Sequence, residues 1–284
     1  MLNVDDDYSL FLLGQYFYEQ KEFEKAYHYF EIMANRNNFQ SKYQAAVMCY
    51  DGLGTTLNQS KGFEMINELA TSTDPKARNL YQAAAVNVGR AYFYGAGTIR
   101  SEELAEKFWK LAADGEEQTG ACTLAQTTLG LFYSLPDHQN FEMAFHYHDL
   151  ASKKGSLESI GALGTMYLHG MGVKENEEKG YQYLKEASTK GNLYAKGNLI
   201  NYYYLRMLYT KAGELATTMV DITDIASASK ETGCLEYFIK IGISMGCFFY
   251  ARCLTLGRGV QMNETLARHY YSRVSELPIS VKRL

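Results

Sequence analysis

The chain has 284 residues, 46% of them hydrophobic and 21% charged, with a formal charge of −4. That apolar share excludes wholesale disorder, and a mildly acidic balance without any Lys/Arg run offers no footprint for nucleic acid or an anionic membrane surface. Only Pro75, Pro136 and Pro278 interrupt the chain, which favours helices, and 24 Tyr against 14 Phe and 1 Trp suit a protein made mostly of half-wet interfaces.

Met1-Leu2-Asn3-Val4 has neither the basic start nor the apolar stretch of a secretory signal. Residues 1–7 read as an acidic lead-in whose Asp5, Asp6 and Asp7 cap a helix start. No apolar run approaches the roughly 20 residues of a membrane span, so no membrane insertion is expected. Cys49, Cys122, Cys234, Cys247 and Cys253 are odd in number and form no CxxC, which reads as reduced thiols in the cytoplasm.

From residue 8 the chain aligns with itself. Helical hairpins are predicted to start near residues 8, 40, 83, 124, 158, 194 and 245, with an insertion over about 221–245, and residues 8–284 form one continuous array. The first helix of each hairpin, helix A, carries a small position (Gly14, Ala46, Gly89, Gly130, Gly164, Ile200, Ala251) and, three residues later, a large one (Phe17, Cys49, Tyr92, Tyr133, Tyr167, Tyr203, Leu254). The second helix, helix B, carries its own small position at Ala26, Gly62, Ala105, Ala144, Gly180, Ala212 and Ala267. Four hairpins have a Gly-x-Gly loop between the helices, and in all four the two small positions are 16 residues apart; in the others the offsets are 12, 14 and 12. A chance alignment would not give one constant for the looped set.

Small residues let the two helices approach, and the large residue one turn later fills the space beside them. The first glycine of each loop supplies a left-handed helix stop. Asn58, Ser101, Asn140, Asn176 and Asn263 stand where helix B needs an N-cap, and Gly115, Gly155, Gly191 and Asn37 end helix B. Such a hairpin cannot bury its apolar face alone, so stacking in an all-α, right-handed superhelical solenoid is expected.

The pattern resembles the Sel1-like repeat, a longer-looped relative of the tetratricopeptide repeat, most faithfully over Ser159-Ile160-Gly161-Ala162-Leu163-Gly164-Thr165-Met166-Tyr167-Leu168-His169-Gly170-Met171-Gly172-Val173. Phe23-Glu24-Lys25-Ala26, with no glycine loop, is similar to a plain tetratricopeptide hairpin. Tyr50-Asp51-Gly52-Leu53-Gly54-Thr55-Thr56, Pro75-Lys76-Ala77-Arg78, Ala251-Arg252-Cys253-Leu254 and Ala267-Arg268-His269-Tyr270-Tyr271-Ser272 resemble the megalin-binding adaptors, which engage low-density lipoprotein receptor-related protein 2. That resemblance implies a cytoplasmic adaptor for a receptor's cytoplasmic tail; composition and spacing imply only a binding scaffold.

No catalytic constellation stands out. The Gly-x-Gly loops follow helices, not strands, and so read as linkers rather than phosphate cradles. His146 and His148, two apart on a helix, face different ways and make a poor metal pair. No cofactor, metal or nucleophile–base pair is assigned. The partner is expected to be a protein segment held in the concave groove lined by helix A, where the candidates are Asn87, Arg90, Phe93, Tyr194, Asn198, Asn201, Tyr202, Tyr204 and Arg252. Asn and Arg would serve its backbone and carboxylates, and the aromatics would anchor apolar side chains. Tyr203 is expected to pack inward. The alternatives are a cytosolic Sel1-type accessory subunit of a folding or ubiquitin-ligase complex, and a cryptic hydrolase or redox enzyme on a helical scaffold.

Overall fold

A computed structural model describes residues 7–115 and 122–277; the side chain of Asp7, and with it the acidic triplet, lies outside the described residues. Among them there are fifteen α-helices and no strand. The chain divides into two compact units, Met1–Gln126 and Thr127–Leu284.

The N-terminal unit holds α1 (Asp7–Glu19) with α2 (Phe23–Asn35), α3 (Phe39–Asp51) with α4 (Gln59–Ala70), and α5 (Arg78–Tyr94) with α6 (Glu102–Asp114). Its boundary with the second unit falls within α7 (Thr123–Phe132). The C-terminal unit continues with α8 (Phe141–Lys153), then α9 (Leu157–His169) with α10 (Glu177–Thr189), and α11 (Leu193–Leu205) with α12 (Tyr209–Thr217). The 221–245 insertion becomes α13 (Ile225–Thr232) and the N-terminal part of α14 (Glu236–Leu256), which pairs with α15 (Glu264–Glu276).

The expected chemistry of the hairpin is present. Asn58, Ser101, Asn140, Asn176 and Asn263 each accept a hydrogen bond from the backbone N–H three residues on. Gly52, Gly95, Gly170 and Gly257 end helix A in the left-handed conformation, and Asn37 ends α2 at φ 60°. The small positions are contact points: a Cβ on Gly14 would lie 2.8 Å from the Phe30 ring, and one on Gly164 2.7 Å from Leu184.

The second glycine of each loop has a role the sequence did not reveal. A Cβ on Gly54 would overlap the Phe23 carbonyl, one on Gly97 that of Gln59, one on Gly172 that of Phe141, and one on Gly259 the Tyr209–Thr210 peptide. Each of those peptides starts helix B of the preceding hairpin, so this glycine is where one hairpin seats on the one before it.

Tyrosine abundance also has a structural use. Phe17 stacks on Tyr29, Tyr92 on Phe108, Tyr133 on Tyr147 and Tyr167 on Tyr183, with centroids 5.6–6.0 Å apart. These rings stand three residues after the small positions of helices A and B, so they repeat with the hairpin. Phe63 then meets Tyr92, and Phe145 meets Tyr167, edge-on at 5.3 and 5.4 Å, linking helix B to the next helix A. Such offset and edge contacts add about 0.5–1.5 kcal/mol per pair beyond burial.

One expectation about length needs correction. α14, at 21 residues, is long and apolar enough to cross a membrane, and half of its most apolar stretch is buried in the fold. Packing against α11, α12 and α15 accounts for that apolarity as a core helix.

Candidate functional site

In the N-terminal unit, Asn87 on α5 donates to the Tyr43 hydroxyl at 2.8 Å. Arg90, one turn later, is exposed and lies near the phenols of Tyr43 and Tyr50, where its charge slightly offsets the burial that pushes both of them up. Phe93 is half-buried, 5.6 Å from the Trp109 ring and under the Arg100 guanidinium. These three candidates therefore share one helix, with Arg90 the freest of them.

In the C-terminal unit the candidates separate. Tyr202 is half-buried and donates to Glu177 at 2.7 Å, beneath the Arg206 guanidinium; Arg206 also pairs with Glu177. Asn201 is half-buried. Arg252 is exposed, its guanidinium 5.0 Å from the Tyr204 ring and 5.7 Å from Phe248.

Tyr204 and Asn198 are not groove residues open to solvent, being 7% and 8% exposed. Elsewhere consecutive A helices touch lightly, but α14 packs along α11. Gly197 and Gly242 bring the two backbones together: a Cβ on Gly197 would lie 2.5 Å from the Gly242 carbonyl oxygen. Asn198 is trapped beside this crossing and donates to the Tyr194 carbonyl at 2.9 Å. Tyr204 lies under Phe249 and Tyr209, centroids 5.1 and 5.2 Å away. Tyr203, expected to be the inward ring of the Tyr202–Tyr204 run, is half-buried and shares a 3.3 Å hydrogen bond with Tyr181.

A concavity walled by several hairpins lies in this unit. A cavity of about 390 Å³ is lined by Leu131 at the end of α7, Ser134 in the turn after it, His148 of α8, Glu158, Thr165 and Met166 of α9, Tyr194 of α11, and Tyr237 and Phe238 of α14. Its walls are thus mostly A-helix residues of four successive hairpins. Only Tyr194 among the sequence candidates belongs to it. Phe238 meets Tyr194 at 5.4 Å and Tyr237 at 5.1 Å, both edge-on.

Two ionisable groups sit in its wall. Glu158 is 5% exposed and its Oε2 accepts from the Leu235 amide at 2.8 Å. Burial pushes its carboxyl up to about 7, although that amide and the Cys234 thiol stabilise the ionised form. Burial and the nearby carboxylate push the Cys234 thiol up to about 12. His148 packs on Gly130 and its Nδ1 shares a 3.0 Å hydrogen bond with Ser159, while burial brings its imidazole down to about 4. It is therefore neutral at physiological pH, and its neighbour His146 is exposed on another face. Sequence inspection missed Glu158 because a Glu in the first turn of a helix ordinarily complements the helix dipole in solvent. The signal lay elsewhere, in the apolar N-terminal extension of α14 that buries it.

Among the described residues no group of three His, Cys, Asp or Glu side chains is arranged to hold a metal ion. The five cysteines are free thiols, four of them buried.

Capped helical hairpins, seated on one another through glycine and aromatic contacts, define a tandem helical-repeat protein of solenoid type. The Sel1 repeat model matches residues 7–38, 40–71, 82–116, 123–156, 158–192 and 244–277, and the chain belongs to the Sel1 repeat family. The α11–α12 hairpin falls outside these six matches and completes a seventh, as the sequence offsets implied. The chain is similar in fold to a protective antigen of uropathogenic Escherichia coli strains displaying an SLR fold, with TM-score 0.71 and 18% identity over 95% of this chain; it spans 54% of that structure. It is also similar to a Sel1 repeat protein from Oxalobacter formigenes, with TM-score 0.67 and 20% identity over 93% of this chain and 96% of that one. Sel1 repeat proteins generally act as protein-interaction scaffolds. Neither the family match nor these neighbours supports the narrower megalin-binding resemblance.

Proposed function

We propose that the chain is a non-catalytic scaffold that captures a peptide segment of a protein partner, and that the A-helix face of its C-terminal unit is where capture occurs. One observation carries this reading: a cavity of about 390 Å³ walled by helices of successive hairpins. Ligand sites of roughly 300–1,000 Å³ combine apolar and aromatic walls with a few placed polar groups. Here Tyr194, Tyr237, Phe238 and Met166 supply the walls, and Glu158 and Thr165 the polar groups. A receptor's cytoplasmic tail, the partner implied by the megalin-type resemblance, is one such segment, and a cytoplasmic location, consistent with five free thiols, belongs to the same proposal.

A peptide-display library selected against the full chain tests it. Enriched peptides should lose binding at least tenfold on Phe238→Ala and keep it on His146→Ala, with helical circular dichroism unchanged in both. No enrichment, or enriched peptides indifferent to Phe238→Ala, would overturn the assignment.

A further inference from the structure

Glu158 is a carboxyl buried in the cavity wall with no ion-pair partner among the described residues. Elsewhere in this unit Glu177 pairs with Arg206, Glu186 with Lys190 and Asp149 with Lys153, at sites far more exposed than Glu158. Burying a carboxylate is costly unless it is hydrogen-bonded and paired. The Leu235 amide and Cys234 thiol supply the hydrogen bonds; nothing supplies the charge. The groups around Glu158 do not oppose a cation. His148 from α8 is neutral, Thr165 from α9 and Tyr194 from α11 carry hydroxyls, and Tyr237 and Phe238 from α14 present rings. Aromatic walls attract cations through the ring quadrupole, arginine most readily because its guanidinium is weakly hydrated and stacks.

We infer that the cavity is a receptor for a basic side chain, an arginine of the bound segment, with the Glu158 carboxylate as its counter-charge and Tyr194, Tyr237 and Phe238 as its walls. This rests on the peptide-capture reading and narrows it to segments with a basic anchor. An entering guanidinium completes an ion pair that the free protein lacks, and it stabilises the ionised carboxyl, so binding releases protons around neutral pH. At about 12 and about 4, Cys234 and His148 titrate too far from neutrality to supply them.

The test uses the full chain and two probes of matched shape, Nα-acetyl-arginine methylamide and its neutral citrulline counterpart, titrated by NMR. The arginine probe should shift the ring signals of Tyr194, Tyr237 and Phe238 and bind at least tenfold tighter than citrulline. It should also tighten from pH 6 to pH 8. Glu158→Gln, which keeps an acceptor for the Leu235 amide, should level the two probes. Phe238→Leu, which keeps the site filled, should weaken the arginine probe several-fold. Equal affinities for the two probes in the parent protein, no pH dependence, or ring signals unmoved by arginine would overturn the inference. Display-selected peptides with an apolar anchor, sensitive to Phe238→Ala but not to Glu158→Gln, would sink the basic-anchor inference and leave peptide capture standing. A failed selection beside a tight arginine probe would do the reverse.

Discussion

The N-terminal and C-terminal units reuse one hairpin and yet present different A-helix faces. In the first, α3 and α5 meet through polar side chains, with Asn87 bonded to Tyr43 and Arg90 left in solvent. In the second, α14 has 21 residues where α9 and α11 have 13, and eight residues amount to about two helical turns. The additional N-terminal part brings Tyr237, Phe238 and the Leu235 amide over α9 and α11. A regular repeat therefore makes a polar face, and one elongated helix converts the same face into a cavity. What the units share should respond alike to mutation, and what the insertion adds should respond only in the second.

The largest expected effect probes what they share. Gly97 and Gly172 have φ of 75° and 67°, and a Cβ on either would overlap the first peptide of the preceding helix B. Gly97→Ala and Gly172→Ala should each cost about 3–4 kcal/mol locally, combining a left-handed alanine with a backbone clash. Gly155 has φ 86° but open space around it, so Gly155→Ala should cost only about 1 kcal/mol. Amide hydrogen exchange is the suitable readout, because repeat arrays need not unfold in two states. Unequal losses at Gly97 and Gly172, or a loss at Gly155 as large as theirs, would break the claim of a common seating device.

The next effect belongs to the second unit alone, which holds the buried Glu and His among the described residues. Between pH 4.5 and 7 the folded chain keeps a proton on Glu158 that the unfolded chain has lost, so stability falls as pH rises. Between pH 4 and 6.5 the unfolded chain takes up a proton that folded His148 refuses, so stability rises with pH. The two slopes oppose one another, and the parent protein should be nearly flat from pH 4.5 to 6.5. Glu158→Gln removes the first slope, and the variant should gain about 3 kcal/mol as pH rises from 4 to 6.5. Exchange of the α8, α9 and α14 amides against pH reads this directly; a variant as flat as the parent would refute the burial of both groups.

Much of the hairpin was legible in the sequence, and the reason is physical. Caps and left-handed stops depend on residues within one turn of each other, so Asn176 or Gly170 announces its role locally. Gly164 and Gly180 did so through a constant spacing. The second loop glycine was visible as a residue but not as a seat, because its partner, Phe141 for Gly172, lies in another hairpin. The cavity was illegible for the same reason on a larger scale. Leu235 and Glu158 are 77 residues apart, and no period connects them. Tyr204 is misplaced by reading every A helix as the lining of an open groove, whereas Gly197 and Gly242 let α11 and α14 close up.

The smallest effect returns to the first unit. Removing the Asn87 amide leaves the Tyr43 hydroxyl, whose group burial already pushes up, without its donor. Asn87→Ala should cost about 1 kcal/mol, the net worth of one part-buried hydrogen bond. Arg90, exposed and near Tyr43 and Tyr50 without an ion pair among the described residues, should change stability by less than about 0.5 kcal/mol when replaced by Ala. Its effect on capture should be just as small if the cavity of the second unit is the site. A selected peptide that loses tenfold affinity on Arg90→Ala while ignoring Phe238→Ala would move the binding face to α5, and the two extra turns of α14 would then be packing alone.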